Sequence, residues 1–241
     1  TEIYTLSLHD ALPICLETAR RLCLSKQLIL VGRSAEKLAS VLGELDGSHL
    51  GFCCDLAQTE NIAANLTSFL QCNNALVDKL IHCAGVDQTL PAKSLNTSAV
   101  DKVMQVNFYS VVEILAVLLK RSVNKSALKN VLFVSSISAI RGFKAKGAYS
   151  ASKAALDGYM RVLSKELAPN VVVNSVLPGA IPTPMSQAGF DNPELVKHFE
   201  EIYPLGIGTV EKVVDVMACY HDMHNPWVTG QQIVVDGGMT G

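Results

Sequence analysis

Charge is scarce in this chain. Of its 241 residues, 17% are Asp, Glu, Lys or Arg, and they nearly cancel to a net charge of −2. That balance leaves no basic surface for nucleic acid or an anionic membrane. No uninterrupted apolar run is long enough to span a bilayer. The first residues lack the basic and long apolar segments of a secretory leader. Seven cysteines stand at positions 15, 23, 53, 54, 72, 83 and 219, and none pairs in a CxxC or zinc-site spacing. Most lie in apolar runs, where a thiol acts as a small hydrophobe, and the pattern suits a reducing, cytoplasmic setting. His221 and His224 form an HxxH with only Asp222 as a nearby third ligand. That set is too small for a structural metal centre, so no metal is expected.

What the chain has is apolar mass. Hydrophobic residues make up 49% of it, enough for one core-rich domain. Strand-length apolar runs recur at Leu28 to Val31, Leu50 to Cys54, Leu80 to Cys83, Val131 to Ser135, Val171 to Val176 and Ile233 to Val235. Helical patterns lie between them: Ala35 to Leu45, Glu60 to Leu70, Val100 to Leu119, Ala148 to Leu167 and Val210 to Cys219. Alternation of this kind predicts an α/β fold, a Rossmann-like doubly wound parallel sheet in a single domain. The longest irregular stretch, Pro178 to Pro204, reads as a loop over the strand ends.

Tyr149 and Lys153 stand out. Their i, i+4 spacing on a helix puts both side chains on one face. An ammonium beside a phenol stabilises the phenolate, which predicts a Tyr149 pKa lowered from about 10 toward neutrality. Such a phenol can move a proton at working pH. Ser136 lies thirteen positions upstream, at the end of an apolar strand. Asn107 is an amide inside the apolar run Val103-Met104-Gln105-Val106-Asn107-Phe108, where it needs hydrogen-bond partners.

Ser–x12–Tyr–x3–Lys resembles the catalytic signature of the short-chain dehydrogenase/reductase family. Further elements carry the same resemblance. Ala84-Gly85 ends His82-Cys83-Ala84-Gly85, where the family reads NNAG, so both asparagines are replaced here. Asn174-Ser175-Val176-Leu177-Pro178-Gly179-Ala180-Ile181-Pro182-Thr183 resembles N-x-V-x-P-G-x-x-x-T. The run from Val228 to Gly238 is similar to the family's last strand and turn, a structural element that implies a subunit contact. The resemblance covers residues 15–241.

The resemblance implies a nicotinamide-dependent oxidoreductase acting on a carbonyl or alcohol, with Asn107, Ser136, Tyr149 and Lys153 as the catalytic set. In the family the asparagine helps to hold a water linked to the lysine. Cofactor contacts fall on Arg33, Ser34, Asp55, Leu56, Ala84, Gly85, Pro178, Gly179, Ile181 and Thr183, with Tyr149 and Lys153 on the ribose side. An acidic residue at the end of the second strand favours NAD(H); here Gly32 and Arg33 stand there, and a guanidinium suits a 2′-phosphate, so NADP(H) is expected over NAD(H). Asp55 reads equally as an adenine contact and as a helix N-cap. A small-molecule ketone, such as a 3-oxoacyl thioester, is the implied substrate. A homo-oligomer, tetramer or dimer, is the implied assembly. Phe143, Met185, Phe190, Phe199 and Tyr203 read as an apolar substrate pocket or as core. An isomerase, dehydratase or epimerase of the same family, or a non-catalytic remnant, are the alternatives.

The first fourteen residues depart from the family. Its glycine turn reads TGxxxGxG, yet Thr1 to Ile14 contains no glycine. The segment resembles the in-frame translation of a sequencing adaptor, so residues 1–14 read as non-native and 15–241 as the domain proper. Cys15 then stands where the third glycine belonged. Ile3 to Leu8 has enough β propensity to fill the first strand's place. Leu12 and Pro13, however, offer little to a pyrophosphate, because Pro13 has no N–H.

Overall fold

The computed structural model describes residues 3–7, 13–222 and 227–241. Among these residues, seven parallel strands form one sheet in the order β3-β2-β1-β4-β5-β6-β7. They are β1 (Ile3–Ser7), β2 (Gln27–Gly32), β3 (Leu50–Cys53), β4 (Lys79–His82), β5 (Asn130–Val134), β6 (Val172–Pro178) and β7 (Gln232–Val235). The strand order reverses between β1 and β4, which opens a crevice beyond their carboxyl ends. The expected doubly wound architecture is the one observed.

Ile3–Ser7 takes the first strand's place, pairing in parallel with β2 on one side and β4 on the other. Ile3–Ser7 therefore supplies a sheet strand, as its β propensity leads us to expect. Backbone pairing requires extended φ/ψ and little of side-chain identity.

The central strands are buried on both faces, as parallel strands between helical layers must be. Successive residues alternate between two cores with the period of the pleat. Ile29, Val31, Leu80, Val131 and Phe133 join one cluster; Leu28, Leu30, Ile81, Leu132 and Val134 join the other. The first layer includes α3 (Thr59–Cys72), α4 (Thr97–Met104), α5 (Ser110–Leu118) and α7 (Gly147–Glu166). The second includes α1 (Pro13–Leu22), α2 (Ala35–Glu44) and α10 (Val210–Asp222). Between α5 and β5 lies the short α6 (Arg121–Asn124). His82 is fully buried edge-on to Phe133, a core position.

Two sequence expectations need correction. The helix expected over Val100 to Leu119 is three pieces, because a π turn at Gln105–Tyr109 separates α4 from α5. The stretch from Pro178 to Pro204 is not one irregular loop. It carries α8 (Gln187–Phe190) and α9 (Pro193–Ile202). The start of α9 was legible: Asn192 Oδ1 accepts from the N–H groups of Glu194 and Leu195, and Pro193 occupies the first turn.

Among the described residues, no helix is long and apolar enough to cross a membrane. No group of three metal-ligating side chains occurs among them either. The HxxH lies outside the residues whose side chains are described.

Candidate active site

Three strand ends and one helix build the site. β5 ends at Val134, and Ser135-Ser136 follow it. Ser136 turns the chain: its Oγ accepts from Ser138 N–H at 3.1 Å and caps the 3₁₀ turn Ile137–Ala139. α7 begins at Gly147 and carries Tyr149 and Lys153 on the face turned to these strand ends. The Ser136 hydroxyl lies close enough to the Tyr149 phenol to favour its ionised form.

Lys153 is almost fully buried, at 3% exposure, and its Nζ donates to Val134 O at 2.7 Å. The ammonium lies over the Tyr149 ring, 5.8 Å from its centroid. That is a cation–π approach to the ring. Burial pushes the lysine down to about 8, while Asp157, Cys83, Cys15 and Asp87 favour its charge.

The expected acidification of Tyr149 is absent. Burial pushes its phenol up to about 12, the nearby Ser136 hydroxyl pulls the other way, and the Asp87 charge adds to the rise. The physical reason is that loss of water disfavours the phenolate more than its neighbours stabilise it. Tyr149 is therefore a neutral O–H at physiological pH, a proton donor rather than a resting base.

Asn107 sits at the centre of the π turn and is fully buried. Its Oδ1 accepts from Val86 N–H at 2.7 Å, and its Nδ2 donates to Val86 O at 3.0 Å and to Ser152 Oγ at 2.9 Å. Ser152 Oγ in turn donates to Tyr149 O at 2.8 Å. The amide is thus a strut between the segment after β4 and the tyrosine's turn of α7. A local π widening commonly marks such functional points.

Gly85 lies where these groups meet. A Cβ there would come 3.3 Å from Lys153 Nζ and 3.5 Å from Asn107 Oδ1. Only glycine leaves the lysine an open approach, which fits a flat ligand half passing over this backbone. Ala84 is fully buried beside it.

The remaining predicted cofactor positions divide in two. Pro178 ends β6, and Gly179 continues the ladder by donating to Val235 O at 3.0 Å. A Cβ on Gly179 would meet Tyr203 Cε1 at 2.9 Å and Asp236 Cα at 3.0 Å, so this turn needs glycine for packing too. Ser186, which sequence reasoning missed, organises the next turn. Its Oγ donates to Ile181 O at 2.6 Å and accepts from Thr183 N–H at 3.0 Å. Its hydroxyl also lies 3.0 Å from Thr183 Oγ1. Arg33 is exposed where β2 ends, and Ser34 Oγ caps α2 by accepting from Lys37 N–H at 3.2 Å.

Asp55 is not the N-cap of the helix that follows it. Asp55 Oδ1 accepts from Ala57 N–H at 3.0 Å, closing a turn, while Gln58 is the N-cap residue of α3. Leu56 is fully buried in the core, so its side chain cannot reach a ligand and only its backbone remains. Among the proposed pocket residues, Tyr203 is core: it is 4% exposed, and its hydroxyl accepts from Ala180 N–H at 2.8 Å. Phe199 packs against both Phe190 and Tyr203.

Two other features escaped sequence reasoning. Cys15 of α1 and Cys83 beyond β4 are buried near each other, and burial, with Cys83 adding to it, pushes the Cys15 thiol up. Asp157, one turn beyond Lys153, is buried at 1% exposure. Its spacing from Lys153 repeats that of Tyr149, the signal that could have found it.

The strand ends, the glycine floor and the Ser136–Tyr149–Lys153 set fit the nicotinamide half of a dinucleotide. Residues 8–12, where the pyrophosphate turn belongs, lie outside the described residues. Comparison with known proteins gives the family. A family described as enoyl-(acyl carrier protein) reductase matches residues 15–240. The bovine 3-oxoacyl-[acyl-carrier-protein] reductase is 30% identical over 219 residues, covering 88% of this chain and 87% of that protein. The solved structure of 4-hydroxyisoleucine dehydrogenase complexed with NADH superposes with a TM-score of 0.89 at 25% identity, covering 100% of this chain and 99% of that one. Pseudomonas aeruginosa RhlG in its NADP active-site complex gives 0.87 at 25% identity, covering 99% and 96%.

Proposed function

This chain belongs to the short-chain dehydrogenase/reductase family of oxidoreductases, and we propose that it reduces a ketone with NADP(H). The observation that carries this reading is the Lys153 ammonium, held on Val134 O and seated 5.8 Å from the centre of the neutral Tyr149 ring. A bound nicotinamide would supply the hydride. Ser136 holds the substrate oxygen by a hydrogen bond, and Tyr149 gives its proton to that oxygen as negative charge develops. Lys153 lends positive charge behind the phenol and offers N–H donors to ribose hydroxyls. The Asn107 strut fixes the Tyr149 turn of α7 relative to the segment after β4, which keeps the donor oriented.

Arg33 supports NADP(H) over NAD(H), since its guanidinium is exposed at the end of β2 and suits a 2′-phosphate. The relationship to a 3-oxoacyl reductase supports a 3-oxoacyl thioester or similar ketone as substrate. A homotetramer or dimer is proposed on family grounds, with β7 as the edge strand that presents the partly exposed Val234. The cysteine usage supports a cytoplasmic location.

A second reading rests on the missing glycines. We infer that residues 1–14 replace a native strand and turn, a reading supported by a family match that begins at residue 15. This chain would then keep the fold and the proton-donating set while binding dinucleotide weakly. One experiment addresses both readings: NADPH consumption across 3-oxoacyl thioesters, sugars and small ketones, with this chain and with a version carrying a TGxxxGxG turn. Turnover by the glycine version supports the reductase. Failure of both with every ketone would count against it, and full turnover by the present chain would remove the second reading.

A further inference from the structure

Asp157 has no part in the chemistry above, yet it is a buried carboxylate in an unusual position. It lies four residues beyond Lys153 and eight beyond Tyr149, on the same face of α7. Its Oδ2 accepts two hydrogen bonds, from Ser135 Oγ at 2.9 Å and from Gln232 Nε2 at 2.7 Å. Its Oδ1 is buried without a hydrogen-bond partner. Both donors are neutral, so hydrogen bonding alone does not balance the charge. The other buried carboxylate among the described residues, Asp236, differs: Gly238 N–H, Thr240 N–H and the Thr240 hydroxyl all donate to it.

A buried anion of this kind persists when a cation lies close by. The buried lysines among the described residues are Lys79 and Lys153. Lys79 begins β4 and pairs with Asn130 at the start of β5, whereas Lys153 bonds Val134 at its end. Ser135, the residue that bonds Asp157, follows Val134 directly. Lys153 and Asp157 therefore bracket the end of β5, one holding its last carbonyl and the other the next hydroxyl.

We propose that Asp157 is a positioning residue for Lys153: the buried counter-charge that keeps its side chain an ammonium, seated on Val134 O. The inference rests on the reading of Lys153 as the active-site lysine. The groups that face Lys153 are Asp157 and Tyr149 from α7, Cys83 and Asp87 from the segment after β4, and Cys15 from α1. Tyr149 is neutral at physiological pH. Of those that favour the lysine's charge, Asp157 acts most strongly. Ser135 and Gln232 hold the carboxylate in place, so an edge strand, β7, is coupled to the site.

The test is a thermal-unfolding cycle on the full chain with Asp157→Asn, Lys153→Met and the double variant, run from pH 6 to pH 10. Neither activity nor added cofactor is needed, so its outcome is separate from the fate of the proposed reaction. Asp157→Asn should lower Tm by several degrees at pH 6–7, and the loss should fade as pH rises through about 8, where the folded lysine sheds its proton. In the Lys153→Met background, Asp157→Asn should cost less than half as much. A loss that is equal in both backgrounds and flat with pH overturns the proposal. If Asp157→Asn does not fold, the Lys153→Met, Asp157→Asn double variant decides it: rescue of folding supports the charge pairing, and failure to rescue refutes it.

Discussion

The Nζ of Lys153 lies 5.8 Å from the centre of the Tyr149 ring and donates to Val134 O. The lysine therefore charges the back of the phenol while its own position is fixed by the sheet. Two titrations are set apart by this arrangement: the phenol stays protonated up to about 12, and the ammonium is lost near 8. A neutral donor beside a cation suits delivery of a proton to a developing alkoxide.

Tyr149→Phe removes that donor and leaves the ring, the helix and the Lys153 stacking surface intact. Reductive turnover should fall on the order of 10²–10⁴-fold, the range for loss of general acid catalysis. Cofactor affinity should stay within a few fold, because the ring remains. Steady-state rates and a fluorescence titration with NADPH measure the two. Unchanged turnover would remove Tyr149 from the mechanism.

The lysine gives the pH dependence. Its folded pKa of about 8 lies below the ordinary value of 10.5. The buried cation costs stability below 8, and stability from this group rises with pH between 8 and 10.5, because the unfolded chain then holds more protons. Cofactor affinity should move the opposite way, falling as the ammonium is lost through pH 8. A titration series from pH 6 to pH 10 tests this, with Lys153→Met as the flat reference. An affinity constant across that range would rule out a role for the charge.

Most of the sheet and the site were legible in the sequence because both obey spacing rules. Apolar runs gave the strands, and the i, i+4 pair put Tyr149 and Lys153 on one face of α7. Long-range burial was not legible. The direction of the Tyr149 shift depends on how much water the fold removes, and spacing carries no such information. Asn107 was visible as a misplaced amide, but its partners Val86 and Ser152 are 21 and 45 residues away. Leu56 looked like a ligand neighbour from its place after Asp55, and only the packing of the core shows that its side chain turns inward.

The proposed preference for NADP(H) rests on Arg33. An exposed guanidinium at the end of β2 can pair with a 2′-phosphate, and a charge-assisted bond of this kind contributes about 1.5–3 kcal/mol. Arg33→Ala should thus weaken NADPH binding by roughly 10- to 100-fold and leave NADH within a few fold, by the affinity arithmetic. Parallel titrations with both dinucleotides measure the ratio. A substitution that weakens both equally would assign Arg33 a general role instead.

The start of α1 sets the largest expected change. Pro13 opens that helix and has no N–H to offer, and no glycine occurs among residues 1–14. A pyrophosphate at such a turn would be bonded by fewer backbone amides and held further off by side chains. Replacing residues 1–14 by an apolar strand followed by TGxxxGxG, with glycine at position 15, should raise NADPH affinity at least 10-fold. The strand itself should change little, since Ile3–Ser7 already pairs with β2 and β4 in register. Thermal unfolding without cofactor would then be similar for the two proteins, and added NADPH would raise Tm mainly in the glycine version, as linkage requires. Equal affinity would mean that the present turn already binds the phosphates, and the reading of residues 1–14 as a damaging replacement would have to be dropped.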